Sequence, residues 1–175
     1  MTKLMIKYSS INSKIHFIMI GAGRDFDACV KLVEVAGLAE RIIIMPQATK
    51  QVAFLVIQKA VASFCFVQPI RELFNNSANK IPESLGLGTP VILNYKGWQS
   101  ELLDKYELSF VIESRDISRA CVELEMMHQR IIASNAGNSN NSLEPRCQDL
   151  AFNYFNLNKT FEPVVQKLEK MNDEI

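Results

Sequence analysis

Short runs that are apolar at nearly every position alternate with longer stretches whose apolar residues recur at helical spacing. The runs are 15–20 (IHFIMI), 41–45 (RIIIM), 63–67 (SFCFV), 91–93 (VIL) and 109–112 (SFVI). Each is short, rich in β-branched or aromatic residues and bounded by Gly, Pro, Asn or Ser, which predicts strands buried on both faces. Between them the spacing predicts helices over 25–36, 49–61, 79–85, 97–106 and 117–132, with a closing pair over 143–155 and 159–171. Residues 2–9 fit a helix better than a strand. Phe26, Cys29, Val30 and Val33 share one face of their helix, and Val52, Leu55, Val56 and Ala60 form the stripe of the next, widened by Phe54 and Ile57. In the helix over 117–132, Ile117, Ala120, Cys121, Leu124 and Ile131 are expected to face inward.

This alternation predicts an α/β fold: a Rossmann-like parallel sheet with helices on both faces and right-handed crossovers. At 175 residues the chain fits one domain, 1–175. The segment 134–142, SNAGNSNNS, is expected to be a flexible loop. In open parallel sheets ligands sit beyond the carboxyl ends of the strands. That rule selects Gly21 to Arg24, Pro46 to Thr49, Gln68 to Lys80 and Asn94 to Gly97.

The fullest local signal in that set is 75–94. Asn79 can cap a short helix, Pro82 is tolerated in its first turn, and Gly88 can take the left-handed position that ends it. A polar loop feeding a helix start beside a buried strand suits an anion or a ribose; it equally suits an ordinary capped helix. Glu83 can accept both hydroxyls of a ribose, or be a surface glutamate favoured by the helix dipole. Lys80 can offer a point charge to phosphate, or be a solvated lysine. Gly21-Ala22-Gly23 allows close backbone approach to a ligand or simply makes a tight turn. The third glycine of a dinucleotide fingerprint is absent, since position 26 is Phe, and no acid ends the second strand.

Charge and composition remove several classes. Lys+Arg and Asp+Glu are 19 each, so nothing favours nucleic acid or an anionic membrane surface as partner. Cys29, Cys65, Cys121 and Cys147 are widely spaced, and only His16 and His128 could join them, so no metal site is expected. Cys65 and Cys121 read as small core residues in a reducing, cytoplasmic setting. His16 reads as a satisfied strand residue, His128 as part of an exposed helix face, and Trp98 as core or interface. No signal peptide is visible, and no apolar run approaches the ~20 residues that span a bilayer.

Several stretches resemble one family. Phe17 to Gly23 resembles the F-x-I-x-G-x-G strand and turn of retaining glycosyltransferases of family 4, and Gly37-Leu38 followed by 41–44 resembles their G-L-x-x-x-V-x-F segment. Residues 78–92, ANKIPESLGLGTPVI, are similar to the P-N-K-x-x-E-x-L-A-A-G-K-P-V-V of a bacterial surface-polysaccharide branch. Residues 94–102, NYKGWQSEL, look like the N-Y-x-G-W-x-x-E-L that follows it there. The likeness spans about residues 12–171.

The resemblance implies the C-terminal, nucleotide-sugar-binding half of a GT-B fold. It implies a UDP- or GDP-linked sugar as donor, with no further cofactor and no metal. Transfer would run with retention to a polysaccharide or lipid-linked acceptor. Glu83 would bind the ribose hydroxyls, Asn79 and Lys80 would face the diphosphate or sugar, Pro46-Gln47 would meet the base edge, and Gly21 and Gly23 would line the cleft. An acceptor-binding domain, in the same or another chain, would complete it, and the full enzyme would sit at the inner face of a membrane. The sequence departs from the pattern in three ways. Asn75 stands where the family's E-x7-E places an acid, Pro46 replaces the glycine of F-x-G, and the family's preceding strand has no counterpart. No catalytic residue is assigned, and the isolated chain is expected to be inactive. The alternatives are a nucleotide-sugar epimerase half and a non-catalytic nucleotide-binding or docking module.

Overall fold

The computed structural model describes residues 1–136 and 142–156. Strands and helices alternate: α1 (Thr2–Ile11), β1 (Phe17–Ile20), α2 (Phe26–Val35), β2 (Ile42–Met45), α3 (Lys50–Lys59) and β3 (Ser63–Cys65) come first. A 3-10 turn (Arg71–Asn75) leads to α4 (Lys80–Gly86), β4 (Val91–Leu93), α5 (Trp98–Lys105), β5 (Phe110–Val111), α6 (Ile117–Ala136) and α7 (Leu143–Tyr154). All strand pairs are parallel. The chain is a Rossmann-like α/β fold.

The centre of the core is β4. Val91, Ile92 and Leu93 are all buried, because helices cover both faces of this strand. Ile81 and Leu85, four apart on α4, are fully buried, as are Leu143, Cys147 and Leu150 along α7. Each such leucine or isoleucine contributes roughly 1.5–3 kcal/mol through burial. Thr49 caps α3 by accepting the Val52 N–H at 3.4 Å. Gly37 (φ 66°) ends α2, and Gly88 (φ 82°) turns the chain from α4 into β4. A Cβ on Gly88 would lie 2.5 Å from Glu144 Cγ, so this glycine also lets α7 pack against α4.

On the opposite side α1 is tied to α6. The Tyr8 hydroxyl donates to Glu125 Oε2 at 2.6 Å, and Asn12 Nδ2 donates to the same oxygen at 3.2 Å. His128, expected on an exposed face, is half-buried with Nδ1 3.3 Å from that hydroxyl. His16 is exposed and lies just outside β1 rather than within it.

Four other expectations are corrected. Among the described residues the sheet is not continuous: β1 pairs with β2, while β3, β4 and β5 form a separate ladder. The stripe of α3 is rotated, with Ala53, Phe54, Val56 and Ile57 half-buried and Val52, Leu55 and Ala60 exposed, because among the described residues no element covers these three. Ile117 is exposed at the start of α6, where it borders a surface depression shared with α1 and α2. Helix α6 runs on through Ser134 and Asn135 to Ala136, so the first part of the expected loop is helical; Asn135 Oδ1 accepts the Leu143 N–H at 3.3 Å. The remainder of that loop, 137–141, and the expected helix over 159–171 lie outside the described residues.

Candidate functional site at the carboxyl ends of the strands

Of the residues selected from the sequence, Gly21 and Gly23 follow β1, Pro46 and Gln47 follow β2, and Asn79, Lys80 and Glu83 lie at the start of α4. At the end of β1, the Gly21 N–H donates to Met45 C=O at 3.1 Å, so the Gly21–Gly23 turn lies beside Pro46 and Gln47 at the end of β2. Pro46, Gln47 and Gly23 are exposed. A Cβ on Gly21 would meet nothing within 4 Å, so packing within the chain does not require glycine there. Gly23, at φ 154°, has a backbone conformation that side chains disfavour.

Glu83 lies in the first turn of α4, half-buried, with its carboxylate 2.9 Å from the Lys50 ammonium at the start of α3. The ammonium also stands 5.1 Å over the Phe54 ring. This pair brings the loop after β2 and the start of α4 together. The sequence reading missed Lys50, since nothing local marks a lysine whose partner is 33 positions away. Asn79 and Lys80 are both exposed at the same helix start. Asn79 does not cap α4: its backbone is helical (φ −55°, ψ −24°) and its side chain accepts no bond from the first turn. A cap residue needs extended backbone to aim its oxygen back at those amides; here Asn79 has been drawn into the helix, and its C=O accepts the Glu83 N–H at 3.1 Å.

The Asn94–Gln99 stretch turns out to be a scaffold for this helix start. Asn94 bridges the ends of β3 and β4, accepting from the Val67 N–H at 2.9 Å and donating to its C=O at 2.8 Å. Tyr95 stacks on Phe74 of the 3-10 turn, with ring centroids 5.5 Å apart. Gly97 is needed because a Cβ there would lie 2.6 Å from Phe74 C=O. Trp98 Nε1 donates to Asn75 C=O at 3.3 Å. With its amide oriented so that each end meets a complementary group, buried Gln99 donates to Asn76 C=O (3.0 Å) and the Tyr95 hydroxyl (2.6 Å), and accepts from the Ala78 N–H (3.3 Å). Five side chains and one missing Cβ thus fix the segment that leads into α4, with Asn79, Lys80 and Glu83 at its start.

Protonation states beneath the site are those of a packed floor. Burial pushes the Cys65 thiol up, with the Lys80 charge pulling the other way, so it is no thiolate nucleophile at neutral pH. Burial likewise keeps the Tyr95 hydroxyl protonated. The Ser63 hydroxyl, half-buried, donates to that of buried Ser84 at 2.9 Å. What remains at the surface is a carboxylate able to take two hydroxyls, two ammonium groups, an amide and open backbone at Gly21. The chemistry of such a set suits a polar, partly anionic ligand; it contains no positioned nucleophile. Among the described residues no three His, Cys, Asp or Glu side chains converge as a metal would require. No hydrogen bond joins the Gly21–Gly23 turn to α4 among the described residues, so the break in the sheet divides the site in two. The site is open, with Gly23, Pro46, Gln47, Asn79 and Lys80 all exposed; surface depressions lie elsewhere, between α1, α2 and α6 and beside Gly88 and Glu144.

No protein-family model matches the chain, and no curated protein matches it significantly.

Proposed function

We propose that this chain is the donor-binding half of a retaining glycosyltransferase, taking a UDP- or GDP-linked sugar for transfer to a polysaccharide or lipid-linked acceptor. The observation that carries the reading is Glu83: a half-buried carboxylate in the first turn of α4, at the carboxyl ends of parallel strands, on a loop held by the Asn94–Gln99 scaffold. It receives the ribose hydroxyls. Lys80 and Lys50 offset the charge of the diphosphate, and Pro46-Gln47 meets the base edge through main-chain groups. The basic side chains stabilise the leaving diphosphate by charge alone.

The open site fits a half cleft. Transfer needs donor and acceptor held together with water excluded, and an acceptor-binding domain in the same or another polypeptide supplies the facing wall. The full enzyme works in the cytoplasm, at the inner face of the membrane that carries its acceptor. Among the described residues no helix is long and apolar enough to cross a membrane, so attachment would be peripheral or through another segment.

The reading is tested by titrating the isotopically labelled protein with UDP and with GDP and following its amide resonances. Shifts at Gly21, Gln47, Lys80 and Glu83 with one of the two support it. Shifts confined to the depression between α1, α2 and α6, or none with either, overturn it.

A further inference from the structure

Among the described residues, the Lys50–Glu83 pair is the charged contact that ties the segment after β2 to the start of α4. Its two members are unequal. The Lys50 side chain is 68% exposed and that of Glu83 32%. Ion pairs at the surface are weak, so the ammonium can move to another anion at little cost while the carboxylate stays in place. The Phe54 ring lies one turn along α3, with its centroid 5.1 Å from Lys50 Nζ. It gives the ammonium a resting place near the site that does not depend on Glu83.

Lys50 also stands where an anion is wanted. It opens α3 directly after the Thr49 cap, and the first turn of that helix holds no acidic residue. A helix N-terminus carries partial positive charge, so a lysine there is unfavourable until a negative group faces it. In the free chain Glu83 is that group. The same contact interferes with the ribose role of the carboxylate. A vicinal diol donates one hydrogen bond to each carboxylate oxygen, and Lys50 Nζ already lies 2.9 Å from Oε1. A hydrogen bond to a carboxylate is strong because the acceptor is charged, and an ammonium so close offsets that charge.

We infer that Lys50 is an exchangeable latch on Glu83: it holds the carboxylate in the free chain and passes to the diphosphate of the ligand when the ribose hydroxyls take its place. The inference rests on the nucleotide-sugar reading and adds a coupling between two parts of the ligand. A nucleoside offers the diol alone and binds against the latch. A nucleoside diphosphate brings the anion that draws Lys50 away, so its phosphates strengthen the grip on the ribose as well as making a contact of their own. The latch thus selects ligands that carry diol and anion together over free nucleosides and other neutral diols.

The test is a set of NMR titrations of the whole chain with uridine, UDP, guanosine and GDP, on the parent, Lys50→Met, Glu83→Gln and the double variant. For the base that binds, Lys50→Met should tighten the nucleoside about two- to fivefold and weaken the diphosphate by about as much, the range an exposed pair spans. A lysine that only touched phosphate would leave the nucleoside unchanged on removal, and one that only positioned Glu83 would weaken both ligands. In the Glu83→Gln chain, which has no carboxylate to hold, Lys50→Met should no longer tighten the nucleoside. If neither diphosphate binds the parent, the nucleotide-sugar reading falls and the latch with it. If one binds and the two affinities do not move in opposite directions in Lys50→Met, the latch alone is overturned.

Discussion

The Lys50 ammonium stands 2.9 Å from the Glu83 carboxylate and joins the start of α3 to the first turn of α4. Lys50 is largely exposed and Glu83 is not, so the pair orients the glutamate more than it stabilises the fold. Exposed pairs of this kind contribute about 0–1 kcal/mol. Lys50→Met should therefore lower unfolding free energy by less than ~1 kcal/mol in urea, with the difference vanishing in high salt. A larger, salt-independent loss would make the pair a structural element.

Asn94 presents the contrary case. It satisfies both main-chain groups of Val67 in a partly buried setting. Asn94→Ala leaves that N–H and C=O without partners, which costs about 1–3 kcal/mol. Urea denaturation should show this loss, and exchange at the Val67 amide should accelerate. Unchanged stability would mean that water replaces the bridge freely.

Two glycines should respond in opposite ways to alanine. Gly97→Ala places a Cβ 2.6 Å from Phe74 C=O, and main chain cannot yield as a side-chain tip can. Crowding of this kind costs typically 1–3 kcal/mol, and here it also displaces the loop that carries Asn79 and Lys80. At Gly21 the new Cβ meets nothing, so Gly21→Ala should leave Tm within a degree or so of the parent while lowering nucleotide affinity where a ligand approaches that backbone. Thermal melts of the two variants separate the effects.

Acid and base should each weaken the junction of α1 and α6. The hydrogen bond from Tyr8, then that from Gln129, holds the Glu125 carboxyl below its usual range. The stability this gives is present above the unfolded value of about 4.3 and is lost as pH falls through the lower folded value. Burial first, and Glu125 second, push the Tyr8 hydroxyl up. The unfolded chain then releases this proton above about pH 10 while the folded one keeps it, so stability falls again as pH rises further. Glu125→Gln should flatten the acid limb of a stability–pH profile measured in urea; an unchanged acid limb would assign that loss to other carboxylates.

Much of this architecture was legible in the pattern of residues, and the failures have physical causes. Val91-Ile92-Leu93 announced a doubly covered strand because helices pack on both its faces. Val52 and Leu55 have the right spacing for a core stripe, but spacing marks a face without saying whether anything lies against it. The break between β1 and β3 left no local trace, since apolar runs predict strands and carry no information about which main-chain edges meet. Asn79 was a sound cap by type; only its helical φ and ψ show that it is not one. At the site, the choice of strand ends followed from a rule about parallel sheets, and Gly21 and Pro46 do follow β1 and β2; Glu83 lay outside that set and was singled out only by its place in the first turn of a short helix. The Lys50 partner and the supporting role of Tyr95 and Gln99 are long-range contacts and needed coordinates.

The most direct test of the ribose role of Glu83 is calorimetry with UDP, GDP and their 2′,3′-dideoxy analogues, on the parent chain and on Glu83→Gln. The account predicts that the parent binds one of the two nucleotides and loses roughly tenfold in affinity when the ribose hydroxyls are removed, about 1.4 kcal/mol. Glu83→Gln should bind the intact nucleotide more weakly and lose little more with the dideoxy analogue, since each change removes the same contact. Equal discrimination by parent and variant, or no binding of either nucleotide, would contradict it.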